Sequence, residues 1–237
     1  MTIQEMHYDF KLKYDRVNSS SKEDFNPAEI DWFLNRAQDL VVRTRYSGNN
    51  PNRTSFEQNQ KRIDDLKAIH IKFPDQPLVD LINHGGIYEL ELSSLKYEYW
   101  FLTNASVTLI NDDCKTRVKL KSMQSDDYEE LIRDPFDKPS NSSVPYNFGK
   151  GTNGGSSIYI YSGDLLLNQC RIEYLKKPVR MTIGGYTYID GTDSTITNCE
   201  LSDHIHPEIV DAAVFLAMSS IGDSQVSLSA QKLSINE

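Results

Sequence analysis

The 237-residue chain has only three cysteines, Cys114, Cys170 and Cys199, odd in number and far apart. That argues against a disulfide framework and fits reduced, half-buried thiols. No stretch nears the roughly 18 consecutive apolar residues that mark a membrane span, so no contact with membrane is expected. The N-terminal "MTIQEMHYDFKLKYDRVNSSSKEDF" has no apolar h-region, so no secretory signal is expected there. An excess of basic residues is also missing. The formal net charge is −9, a poor footing for nucleic-acid binding.

Catalytic and cofactor signatures are equally sparse. "NFGKGTNGGSS" has the glycines and lysine of a phosphate loop, but Val144 stands where the first glycine of a Walker motif is required. The segment after it reads as a strand, so no helix N-terminus faces a phosphate. "SDHIHPE" places Asp203, His204, His206 and Glu208 close together. Pro207 and a helix start break the alternation that a shared metal needs, and His7, His70 and His84 stand alone. No serine lies in a nucleophile elbow, and no cysteine has a catalytic neighbourhood. No metal site and no nucleotide cofactor are expected from these segments. The 13 tyrosines suit half-buried strands and could also form a carbohydrate or protein contact surface.

What is present is helical at both ends. In "FNPAEIDWFLNRAQDLVV", Asn26 is a good N-cap, Pro27 fits the first helical position and Glu29 favours the positive helix end. Ile30, Phe33, Leu34, Ala37, Leu40 and Val41 then form an apolar stripe. In "IHPEIVDAAVFLAMSSIG", His206 or Asp203 is the cap and Gly222 ends the helix. This second helix is apolar on most sides, so other elements or another subunit must bury it. A further helix is expected from Phe56 to about Ile69, and a short one from Ser125 to Asp134.

From Phe73 the period changes to that of strands. "GIYELELSS", "EYWFLTNASVTLIN" and "CKTRVKLKSM" suggest an antiparallel meander. "DKPSNSSVPYNFGKGTNGGSS" reads as a long loop, followed by strands in "SIYIYS", "QCRIEYLKKP" and "VRMTI" and a last one in "GGYTYIDGTDSTITNCEL". The fold class is therefore α+β, a helical unit formed by N- and C-terminal helices with a large antiparallel β-rich insertion. The expected divisions are an N-terminal arm (1–24), a helical part (25–71), the β-rich insertion (72–204), a completing helix (205–222) and a tail (223–237). In the tail, Val226, Leu228, Leu233 and Ile235 alternate as a strand would against a partner's groove or sheet edge.

"PAEIDWFLNRAQDLVVRTRY", "QCRIEYLKKPVRM" and "CELSDHIHPEIVDAAVFLAMSSIGD" resemble segments of virion structural proteins of crAss-like bacteriophages. Their order is similar to the head-to-tail adaptors of short-tailed phages, in which a helical bundle carries a β insertion. The resemblance implies a ring subunit of the neck or tail, a dodecamer stacked below the portal, with no enzymatic activity and no cofactor. Its partners would be copies of itself, the portal and adjacent ring proteins, with genomic DNA only passing through the channel. It would be assembled in the host bacterial cytoplasm and reside in the virion. A tail-associated carbohydrate-binding module and a host-surface enzyme are the alternatives.

Overall fold

The computed structural model describes residues 1–17, 25–47, 59–77, 79–80, 86–110, 116–134, 136, 138–188 and 191–221. The chain is mixed α+β and divides into two compact units. One contains residues 1–69 and resumes at 178, and the other is the continuous stretch 70–177.

In the first unit, α1 (Ile3–Val17), α2 (Pro27–Ser47), α3 (Gln60–Leu66) and α5 (His206–Ile221) are the helices. The N-terminal segment (1–24), expected as an extended arm or a short helix, contains α1. Its start is a complete capping box: the Thr2 hydroxyl accepts from the Glu5 amide at 3.3 Å, and the Glu5 carboxylate accepts from the Thr2 amide at 2.8 Å. Ile3, Met6, Phe10 and Tyr14 form its buried face. At α2 the Glu29 carboxylate reaches back to the Asn26 amide at 2.8 Å, satisfying one orphan donor of the first turn. Phe10, Tyr14, Phe25 and Phe33 form an aromatic cluster, with Tyr14 and Phe25 rings 5.0 Å apart. The α2 stripe drifts from expectation. Leu40 is 45% exposed while Val42 is buried, because 3.6 residues per turn rotates the later positions away from the core. Helix α5 packs against α1 and α2. Its Ile209, Val210, Ala213, Ala217 and Met218 are buried within the subunit, so its all-round apolarity needs no second subunit.

The second unit is an eight-stranded sheet in the order β1-β8-β4-β5-β6-β7-β3-β2. The strands are β1 (His70–Pro77), β2 (Val79–Asp80), β3 (Ile87–Glu91), β4 (Tyr99–Leu109), β5 (Arg117–Ser122), β6 (Ser143–Lys150), β7 (Ser156–Tyr161) and β8 (Leu167–Lys176). The two edge strands, β1 and β2, are separated by one residue in the chain. Consecutive Cα atoms are about 3.8 Å apart, so the sheet must curl until its edges meet. Ile158, Ile160, Ile172, Val107, Val144 and Tyr174 fill the inside of the curl.

Three strand expectations are corrected. The first three strand runs form no meander: β3 pairs with β7 and β2, while β4 lies between β8 and β5. The sheet is not wholly antiparallel, since β5 and β6 are parallel and the segment carrying α4 (Tyr128–Arg133) crosses between them. The long loop contains β6. A fourth correction concerns residues 178–204, expected to belong to the β insertion. They group with the helices, and among the described residues their only strand-like pairings are the isolated bridges Thr182–Thr197 and Thr187–Asp193.

Candidate assembly surface

Helix α2 carries a buried polar column beside its apolar stripe. Asp31, Gln38 and Arg45 recur every seven residues and are all buried. Asp31 accepts from the Ile183 amide at 3.0 Å and from the Tyr186 hydroxyl at 2.7 Å, and its other oxygen lies 2.7 Å from His7 Nε2. Asn35, one turn on, donates to the Met181 carbonyl at 2.7 Å and accepts from the Met181 amide at 2.8 Å. Gln38 donates to the Val179 carbonyl at 3.3 Å. Residues 179, 181 and 183 are thus held by alternate backbone groups, as a neighbouring strand would hold them. Burial pushes the Tyr186 phenol well above its ordinary value, and the bond to Asp31 adds to this. Further along, Arg45 donates to Asp65 at 3.0 Å and to Glu208 at 2.5 Å, joining α2, α3 and α5.

The residues singled out as chemical candidates have local partners. His204 Nε2 lies 2.7 Å from Asp65, and His206 Nε2 lies 2.9 Å from the Leu201 carbonyl. Glu208 pairs with Arg45 and Lys61. Among the described residues no group of histidine, cysteine, aspartate and glutamate is placed to hold a metal. Burial pushes the Cys199 thiol up to about 11, so it stays protonated at neutral pH. Cys114 lies outside the described residues.

In the curled sheet, the glycine-rich segment is the turn between β6 and β7. Glu89 on β3 is buried and accepts from the Thr152 amide at 3.1 Å and the Thr152 hydroxyl at 3.0 Å. Glu91 accepts from Ser93 at 2.5 Å and Asn153 at 3.1 Å. A side chain at Gly151 would collide with Ser157 and Glu89, which explains the glycine there. Two carboxylates facing the turn make it unsuited to phosphate.

Two surface features remain on this unit. The crossover from Ser125 to Asp134 carries five carboxylates and one arginine. Asp126, Asp127, Glu129, Glu130 and Asp134 are all exposed. At its end the Asp134 carboxylate accepts from the Phe136 amide at 2.8 Å and the Asp134 carbonyl from Lys138 at 3.0 Å. This Asx turn presents Phe136 with 93% of its surface exposed. Elsewhere, Leu92, Tyr99, Phe148, Gly149, Lys150, Gly154, Gly155 and Ser156 line a shallow cleft of about 420 Å³. Beside it, Tyr97 sits between Lys96 and Lys176, each ammonium 5.2 Å from the ring centre. Tyr99 and Lys176 are cross-strand partners. Sequence reading missed both features. The signal available for the first was Asp-Pro followed by an aromatic residue, whereas nothing local announces the cleft.

Val226, Leu228, Leu233 and Ile235, the expected interface residues, all lie outside the described residues. None of the described helices is long and apolar enough to cross a membrane.

A family model described as phage tail ring protein 3/4 matches residues 1–228 and so includes both compact units. The chain is also 22% identical over 241 residues to "Ring protein 4/5" of Bacteroides phage crAss001, covering 96% of this chain and 97% of that protein. With this match running through the capped helices, the curled sheet and the segment that returns to α5, the chain belongs to the phage tail ring protein 3/4 family of crAss-like phages.

Proposed function

We propose that this protein is the subunit of a twelve-membered ring in the phage neck, a head-to-tail connector stacked below the portal. The ring lines part of the channel through which DNA is ejected. It is assembled in the host bacterial cytoplasm and performs no catalysis. The observation that carries this reading is the family match over residues 1–228, spanning both units. Net charge supports the channel role, because a chain at −9 offers DNA little to adhere to. Interface contacts come from exposed side chains and from the tail. Val226, Leu228, Leu233 and Ile235 dock on an adjacent ring subunit or on the portal.

Native mass spectrometry of the purified chain, alone and with its portal, tests the reading. A closed oligomer of defined stoichiometry that binds the portal is the expected result. A monomer under all these conditions overturns it. Deleting residues 224–237 removes none of the described helices or strands. It is therefore expected to leave the melting temperature unchanged while lowering occupancy in virions. Wild-type occupancy of the truncated chain would show that the tail is dispensable.

A further inference from the structure

A ring of identical subunits closes through a heterologous interface, in which two different patches of the same chain meet across neighbouring copies. The second unit carries two exposed features whose chemistry is opposite and whose shapes are a knob and a hollow. We propose that Phe136 of one copy seats in the Tyr99–Phe148 cleft of the next copy, with the acidic crossover facing the lysines around that cleft. This rests on the ring reading above and names the contact that closes the ring.

Four observations converge on it. Phe136 is 93% exposed, so its own chain provides no seat, and hydrogen bonds from both its own amide and that of Lys138 to Asp134 hold it outward. A backbone turn already held in place lowers the ordering cost of docking to that of the side chain alone. The cleft offers aromatic faces: Tyr99 and Phe148 have ring centroids 6.2 Å apart, and Phe148 is itself 48% exposed. A third ring added there would pack edge-to-face, an arrangement common at interface hot spots. The charges are complementary. The knob is preceded by Asp126, Asp127, Glu129, Glu130 and Asp134, while Lys150 lines the cleft and Lys96 and Lys176 flank Tyr97 beside it. The carboxylates nearby are already engaged, Glu91 by Ser93 and Asn153 and Glu98 by Lys177.

The two features also lie apart on the sheet. Ser125 of the crossover bonds to Asn147 on β6, and Tyr128 contacts Tyr161 on β7, with rings 4.5 Å apart. The cleft also uses β6, but Asn147 and Phe148 are successive residues of that strand and point to opposite faces of the sheet, so the crossover and the cleft lie on different faces. Separate patches of complementary character give head-to-tail chains, which form a ring when the rotation per subunit closes, whereas a self-complementary patch would stop at a dimer.

The test uses the full chain under conditions in which the wild type forms rings. Phe136→Ala is expected to raise the concentration needed for assembly by at least about tenfold, as loss of a central aromatic anchor does. Its melting temperature should not change, because the side chain touches no core. Lys96→Glu with Lys150→Glu is expected to do the same from the other side. Mixing these two variants leaves one intact interface per pair, so dimers and no rings are expected by sedimentation velocity. A photo-crosslinking residue in place of Phe136 should join a second copy at segments 92–99 or 148–156. Crosslinks to any other segment, or to a different virion protein, overturn the assignment, as do rings that form normally from either variant. A wild-type chain that stays monomeric overturns the ring reading itself, which separates the two failures.

Discussion

The helical unit and the curled sheet are organised by different interactions. The helical unit is assembled from two distant stretches of chain, and its interior contains His7, Asp31, Arg45, Arg62, Asp65 and His206 in buried positions. The sheet is one continuous stretch, and Glu89 is its only buried charged side chain among the described residues. Apolar burial is non-directional, so it cannot fix the register of residues 178–188 against α2. Hydrogen bonds from Asp31, Asn35 and Gln38 to alternate backbone groups can. The sheet obtains its register from the backbone ladders between its strands, so it can leave its core apolar. The lesson is that the discontinuous unit relies on directional polar contacts where the continuous one relies on topology.

The most severe test of this contrast is Ala213→Asp. Ala213 is fully buried on α5, and an unpaired carboxylate there is expected to cost about 5 kcal/mol or more. Hydrogen exchange should show loss of protection in α1, α2 and α5, with the strands of the sheet still protected. Equal loss in both units would show that they unfold as one, and the contrast would fail.

A smaller effect is expected of Asp31→Ala, which strands the Tyr186 hydroxyl, His7 and the Ile183 amide. Removing one partner of such a buried network costs about 3 kcal/mol, measurable as a shift of the urea midpoint. Exchange should quicken first at residues 181–183. An unchanged midpoint would mean that apolar packing alone fixes the segment.

The smallest effect concerns Glu91 in the sheet. Its hydrogen bonds to Ser93 and then Asn153 hold the carboxyl below its ordinary value of 4.5. The turn is therefore fully clamped above the ordinary value, and the clamp is lost as pH falls through the lower folded value. The Asn153 side-chain amide, which donates to Glu91, should change its NMR chemical shift over that acidic window and not near neutrality. Glu91→Gln should abolish the pH step.

Local physics made much of the helical content legible. Asn26, Pro27 and Glu29 mark the start of α2, and the apolar spacing from Ile209 to Ala217 marks α5. Helix α1 carried an equally local signal in Thr2 and Glu5, but the charges of Asp9, Lys11 and Lys13, half-buried in the fold with Lys13 paired to Asp211 of α5, gave it the look of a polar arm. Strand β6 was hidden by Pro145 and the glycines after it. Pro145 is tolerated because pairing with β7 begins only at Tyr146, so no ladder bond on that side needs its missing N–H. The interface features were less visible still, since Tyr99 and Phe148 form a cleft only because two strands far apart in sequence approach each other.

Capping chemistry and hydrophobic period depend on neighbours three or four residues away, and these the chain displays openly: two helical ends, a strand-rich middle, an acidic surface. Closure of the sheet and the purpose of the buried column do not. Asp31 meets Ile183 at a separation of 152 residues, and Asn35 meets Met181 at 146. A carboxylate or amide on a helix has the same appearance in sequence whether it faces water or another backbone. Its role is fixed only when folding brings up the distant segment that desolvates it, because an unpartnered polar group would then be too costly to bury.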